Sequence, residues 1–262
     1  MNGTQPLAGR SIVLTRPRHS AQKIAQRIAL AGGTAVVFPA LEIVALPETP
    51  QLGGLIDRLD EFNLAVFVST NAVEQGWAAV LRHRSWPTHL RCAAVGSATQ
   101  AALQEQGISS VIAPTEQFDS EALLALPQLC AVTAQRIVIF RGEGGRELLG
   151  KTLAERGAQV EHAVTYRRVR PTADPEPLLR AWRHGSIHAV SVMSGESLGN
   201  FYAMLPDEGR SWLRATPVFV PHQRIAARAN ELAISQIYLT GPSDDALIDK
   251  LIDVLCSTKT TP

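Results

Sequence analysis
An internal repeat constrains this chain more than any other feature, because two segments that resemble each other must meet the same local structural demands. A shift of about 125 positions lays Ile12-Val13-Leu14-Thr15-Arg16 on Ile137-Val138-Ile139-Phe140-Arg141, two apolar runs that each end in arginine. The same shift lays Gly32 on Gly157, Ala65 to Ser69 on Val190 to Ser194, and Ala93-Ala94-Val95 on Val218-Phe219-Val220. Within one residue it also lays Asp119-Ser120-Glu121-Ala122-Leu123 on Ser243-Asp244-Asp245-Ala246-Leu247. The matches keep their order and register along the whole chain, which points to a duplication.

Each half reads as short apolar strands separated by segments of helical period. Strands are expected at Ile12 to Thr15, Ala35 to Phe38, Leu64 to Ser69, Cys92 to Val95 and Val111 to Ala113, and again at Ile137 to Phe140, Val160 to Tyr166, Ala189 to Met193, Val218 to Val220 and Ile237 to Leu239. Helices are expected at Ala21 to Leu30, Ala72 to Arg82, Ala98 to Gln106 and Glu147 to Arg156, then at Pro177 to Arg183, Leu198 to Leu205, Ile225 to Ala233 and Asp244 to Leu255. Alternation of this kind makes an α/β protein with parallel sheets covered on both faces. Two sheets of about five strands each are the expected outcome.

Composition narrows the function. The 25 Lys+Arg and 24 Asp+Glu leave a net charge of +1 with the signs interspersed, so no nucleic-acid partner is expected. No apolar run approaches the ~20 residues of a membrane span, and MNGTQPLAGR does not read as an export signal. A cytoplasmic protein without membrane contact is the expectation. Cys92, Cys130 and Cys256 are too few and too widely spaced for a disulfide framework or a zinc site. His184 and His188 stand four apart but are interrupted by Gly185, so no metal is expected there.

In open α/β sheets ligands bind beyond the carboxyl ends of the strands. The residues there are Arg16-Pro17, Ser69-Thr70-Asn71, Gly96-Ser97-Ala98-Thr99, Arg141 to Arg146, Ser194-Gly195-Glu196 and Gly241-Pro242-Ser243. Hydroxyls, glycines and arginines offer backbone N–H groups, hydroxyl donors and guanidinium forks, which suit a polyanion. Each serine or glycine taken singly also reads as a helix cap or a turn.

Taken together, Thr15-Arg16-Pro17, the Ser-Thr-Asn-Ala-Val run from Ser69, the Ala-Val-Gly-x-x-Thr run from Ala94, Ser120-Glu121-x-Leu123 and Arg141-Gly-x-Gly-Gly-Arg-Glu-Leu-Leu resemble the uroporphyrinogen-III synthase family. The resemblance continues through Arg156-Gly157-Ala158, Tyr166-Arg167-Arg168 and Ser194-Gly195-Glu196, and spans roughly Ser11 to Leu255. It implies two flavodoxin-like, doubly wound domains joined by a two-stranded linker. Residues 1–39 would pack with 168–262, and 42–165 would form an inserted domain, with a cleft that opens and closes. It also implies a lyase that cyclises hydroxymethylbilane, a linear tetrapyrrole with eight carboxylates, to uroporphyrinogen III, with loss of water, inversion of ring D and no cofactor or metal. The partners implied are that small molecule and, in transient contact, the enzyme that makes it; the chain itself is expected to be a monomer.

The resemblance assigns roles residue by residue. Tyr166 becomes the catalytic proton donor to the departing hydroxyl. Arg16, Arg141 and Arg146 become carboxylate clamps, with pairing of the last two to Glu143 or Glu147 as the competing reading. Ser69, Thr70, Asn71, Gly96, Thr99, Gly142, Ser194 and Gly195 become substrate-binding positions, and Ser120 reads as a helix cap. One departure stands out: Pro221-His222-Gln223-Arg224 replaces the Gly-x-x-Thr that the family repeats in its second half. Two other functions compete. One is a non-catalytic tetrapyrrole- or polyanion-binding module of the same ancestry. The other is a nucleotide enzyme, which Gly142-x-Gly144-Gly145 fits poorly because neither Gly-x-Gly-x-x-Gly nor Gly-Lys-Ser/Thr is present.

Overall fold
The computed structural model describes residues 5–257, which divide into two compact units: residues up to Glu42 together with those from Val169 onward, and the intervening Ile43–Arg168. The chain opens with β1 (Ser11–Leu14), α1 (Arg18–Leu30) and β2 (Thr34–Val37). The second unit follows with β3 (Glu42–Ala45), α2 (Pro50–Asp57), β4 (Leu64–Phe67), α3 (Thr70–His83), β5 (Arg91–Ala94), α4 (Ser97–Glu105) and β6 (Val111–Ile112). It closes with α5 (Ser120–Leu124), α6 (Pro127–Cys130), β7 (Arg136–Gly142), α7 (Leu148–Glu155) and β8 (Gln159–Val169). The chain then returns to the first unit through α8 (Glu176–Arg183), β9 (Ala189–Ser191), α9 (Gly195–Met204), α10 (Asp207–Ala215), β10 (Val218–Val220), α11 (Gln223–Glu231), β11 (Ile237–Leu239) and α12 (Asp244–Ser257).

The first unit holds a parallel sheet in the order β2-β1-β9-β10-β11. The second holds the order β3-β8-β7-β4-β5-β6, in which β4 to β8 pair in parallel. Strands related by the sequence shift occupy like places: β7 answers to β1, β8 to β2, β9 to β4, β10 to β5 and β11 to β6. The sixth strand of the second sheet, β3, departs from the expected five. Its first two residues fall in the stretch from Pro39 to Ile43 that the family resemblance makes a linker, and a short run starting with Glu42 carries too little apolar pattern to be read as a strand.

Side chains alternate across each sheet, and both faces are buried. In the first unit Ile12 and Leu14 pack with α1 and α12, while Val13, Val190 and Val218 pack with α8, α9 and α11. In the second, Phe67, Ala94 and Phe140 face α2, α3 and α4, while Leu64, Val66 and Ile137 face α5, α6 and α7. Burial on both sides explains why the strands read as continuous apolar runs. Gly32 and Gly157, matched by the repeat, both take a positive φ just past helices α1 and α7, a left-handed turn that glycine adopts without steric cost.

Most helices begin a residue or more away from where the sequence pattern suggests, and three of these shifts fall on candidate site residues. Ser69 caps α3 by accepting from the Ala72 N–H at 3.1 Å, so Thr70 and Asn71 are its first residues. Ser194 caps α9 in the same way through Ser197, which places Gly195 as the first helical residue. Ser120 is not the cap of α5; Asp119 is, accepting from Ala122 at 2.8 Å, and Ser120 opens the helix.

Candidate active site
In the second unit the chain runs outward from β4 through β5 to β6, then crosses back to place β7 on the other side of β4. The crevice above a reversal of this kind is where open α/β sheets hold ligands, because the two flanking loops diverge there. A cavity of about 310 Å³ lies there, lined by Val68 past β4, by Arg141 to Arg146 at and beyond the end of β7, and by Leu149, Gly150, His162, Tyr166, Arg168 and Ser120.

Tyr166 lines this cavity yet is only 3% exposed, with its ring packed in the core beside Phe140. Its phenol is 3.0 Å from Ser69 Oγ, and its carbonyl accepts from the Glu143 N–H at 2.8 Å. The ring lies against Gly142, where a Cβ would come within 2.6 Å of a ring carbon. The register of β7 against β8 shifts at Arg141/Gly142, and that irregularity together with a missing side chain lets the strand and the ring approach so closely. A glycine thus holds the tyrosine ring from one side while a serine holds its oxygen from the other.

The three arginines read as carboxylate clamps all have partners in their own units. Arg141, 9% exposed, pairs with Glu147 at 3.0 Å and donates to the Gly144 carbonyl, which holds the Gly144-Gly145 turn around its guanidinium. Both glycines take positive φ, as this tight turn requires. Arg146 pairs with Glu121, a partner outside the two acids considered from the sequence. Arg16 pairs with Asp244 at 2.8 Å at the start of α12, and its Nε and one terminal nitrogen are buried without a hydrogen-bond partner among the described residues.

The remaining candidates fall at other strand ends. Gly96 takes the N-cap position of α4 without a side-chain cap, and Thr99, third in that helix, is 5% exposed. In the other unit Ser194 Oγ bonds Ser197 Oγ at 2.9 Å as well as capping α9. His222 takes the N-cap position of α11 without a side-chain cap and is exposed, in the loop that departs from the family pattern. His184 and His188 are engaged separately, the first with the Arg180 carbonyl and the second accepting from the Ser11 N–H. No cluster of three or more His, Cys, Asp or Glu suited to a metal occurs among the described residues. Nor is any described helix long and apolar enough to cross a membrane. All three cysteines are free, and burial pushes the Cys92 thiol up to about 12.

His162 is a wall residue that sequence reasoning missed. Burial and the neighbouring Arg141 guanidinium hold its pKa below the ordinary value, with Glu147 opposing them weakly. Between that lowered value and about 6.5 the unfolded chain binds more protons than the folded one, so stability falls as pH drops through that window and is complete above it. His188, depressed by burial and by Arg10, adds to the same trend. Urea midpoints taken at about pH 7.5 and about pH 5.5 should therefore differ, and His162→Gln should narrow the difference. An unchanged difference would remove His162 as a contributor.

Comparison with known proteins identifies the class. A family model described as uroporphyrinogen-III synthase HemD matches residues 22–249. Uroporphyrinogen-III synthase of Salmonella typhimurium is 34% identical over 92% of this chain and 99% of its own length, and that of Escherichia coli is 32% identical over the same shares. A mutant uroporphyrinogen III synthase from the extremely thermophilic bacterium Thermus thermophilus superposes with a TM-score of 0.60 at 17% identity, covering 95% of this chain and 99% of that one. The synthetase from Helicobacter pylori gives 0.59 at 14% identity, covering 94% and 99%. These two structures speak to the fold, which they share.

The sequence relatives make this chain an enzyme, a cyclising lyase of tetrapyrrole biosynthesis. It belongs to the uroporphyrinogen-III synthase family.

Proposed function
We propose that the enzyme closes hydroxymethylbilane to uroporphyrinogen III without a cofactor, inverting the last pyrrole ring. The observation that carries this reading is the phenol of Tyr166, fixed by Ser69 and Gly142 on the wall of a cavity at the strand crossover, in a chain with this family membership. The phenol gives its proton to the substrate hydroxyl. The electrons of the breaking C–O bond leave with water, and ring A supplies its nitrogen lone pair to the electron-poor carbon left behind. Ring D attacks through its substituted α-carbon to form a spiro centre, which fragments and recloses with the ring turned over. The proton lost from the free α-carbon of ring D as it regains aromaticity restores the phenol.

The unassisted substrate closes without inversion, so catalysis here is discrimination between two cyclisations, each tenfold preference requiring about 1.4 kcal/mol of differential transition-state binding. Orientation of eight carboxylates is the larger part of that task. Backbone N–H groups at the starts of α3 and α4 and the Arg141 to Arg146 loop are the proposed anion contacts in this unit, with Arg16, Ser194 and Gly195 in the other. The like strand orders of the two sheets support a duplication in which residues 42–165 form the inserted domain and two strands make the linker. A monomer working in the cytoplasm completes the reading.

The test is direct: purified protein receives freshly generated hydroxymethylbilane, and the products are oxidised to porphyrins and separated by chromatography. Predominant isomer III is expected. Isomer I alone, at the rate of the protein-free control, would overturn the reading and leave a binding module of the same ancestry.

A further inference from the structure
We infer that Ser69 is a positioning residue that couples the N-terminus of α3 to the phenol of Tyr166, and that it acts through the tyrosine instead of holding substrate. The inference rests on the cyclase reading above and deepens it. Ser69 Oγ has one hydrogen and two lone pairs. The Ala72 N–H, one of the unpaired donors at the start of the 14-residue helix α3, donates into one lone pair at 3.1 Å. A second lone pair and the hydroxyl hydrogen both remain for the phenolic oxygen 3.0 Å away, with Ser69 assigned as the donor, the direction that leaves the phenol proton for substrate.

In that arrangement the phenol O–H is left to donate to the substrate hydroxyl, Tyr166 being a wall residue of the cavity. When the proton leaves, negative charge gathers on the phenolic oxygen. Ser69 donates to that oxygen and is itself polarised by the helix amide, so the positive end of α3 reaches the charge through one side chain. The Tyr166 carbonyl is tied to Glu143 and the ring is wedged on Gly142, so the phenol can meet this donor without reorganising.

Ser69 also caps α3, and a substitution that frays the helix would confuse the two roles. Glycine separates them, because it serves well as an N-cap yet offers no hydroxyl to the phenol. Ser69→Gly should lower kcat about tenfold with KM held within about twofold, while Ser69→Thr, which keeps both bonds, should recover most of the rate. In a Tyr166→Phe background, Ser69→Gly should cost almost nothing further, since the partner is already gone. An equal loss of kcat with and without the phenol would overturn the proposal, as would a rise in KM alone. If the wild-type protein yields only isomer I, it is the cyclase reading that fails, so the two failures are distinguishable.

Discussion
Tyr166→Phe is expected to lower kcat about a hundredfold, the scale set by losing a positioned general acid, while KM changes little. The substitution is clean because of how the ring sits. At 3% exposure it is part of the second unit's core, and phenylalanine preserves that packing against Gly142 and the Phe140 side of the sheet. The lost hydrogen bond costs about 1 kcal/mol of stability. Ser69 keeps its bond from Ala72 and its role as the cap. Truncation to alanine would instead empty a core site, costing about 3–5 kcal/mol, and so could not separate chemistry from folding. The residual product of Tyr166→Phe should carry a smaller share of isomer III, because slow release of water leaves more substrate to close unassisted. Steady-state kinetics and isomer separation on one preparation check both statements, and an unchanged kcat would remove the phenol from the chemistry.

What could be read from the sequence follows from the range of the forces involved. The apolar strands were legible because each is buried on both faces, so Leu64-Ala65-Val66-Phe67 and Ile137-Val138-Ile139-Phe140 leave uninterrupted runs. Helix α2 was missed although Thr49 caps it and Pro50 opens it, because Gly53-Gly54 in its middle dilute the helical signal. Helix α10 was missed for a similar reason, Asp207-Glu208-Gly209-Arg210 reading as a loop.

The site was harder to read, because its partners are remote in sequence. Nothing near Arg16 announces Asp244, and nothing near Arg146 announces Glu121. The bond from Tyr166 to Ser69 spans 97 positions. His162 escaped because it lies within β8, whereas candidates were sought beyond the carboxyl ends of the strands; the available signal was Gly150, whose missing side chain makes room for that imidazole. Arg156, in the Arg156-Gly157-Ala158 segment of the resemblance, donates to the Leu124 and Leu129 carbonyls at 2.7 and 2.8 Å. It caps the last turns of α5 and α6, so a family motif need not touch the site.

Phe140→Ala should have the largest effect on stability, about 3–5 kcal/mol, a substantial part of the 5–15 kcal/mol that holds a typical domain together. The ring is fully buried, stacked on Phe67 with centroids 4.6 Å apart and planes 4° from parallel, and tilted against Trp86 at 6.0 Å. Helix α3 crosses it at Gly76, where even a methyl group would meet the ring at 2.6 Å, so the helix sits at a distance set by this one side chain. Removing the ring leaves a cavity that α3 can fill only by shifting, and α3 is the helix whose first turn carries Ser69. Activity should therefore fall along with stability. Each unit encloses its own core, so hydrogen exchange should accelerate in β4, β7 and α3 while amides of β1 and β9 keep their protection. Phe219→Ala, which removes the ring stacked on Tyr238 in the other sheet, should give the converse pattern. Uniform loss of protection across both sheets in either variant would mean that the chain unfolds as one cooperative body, and the account of two separately held cores would fall.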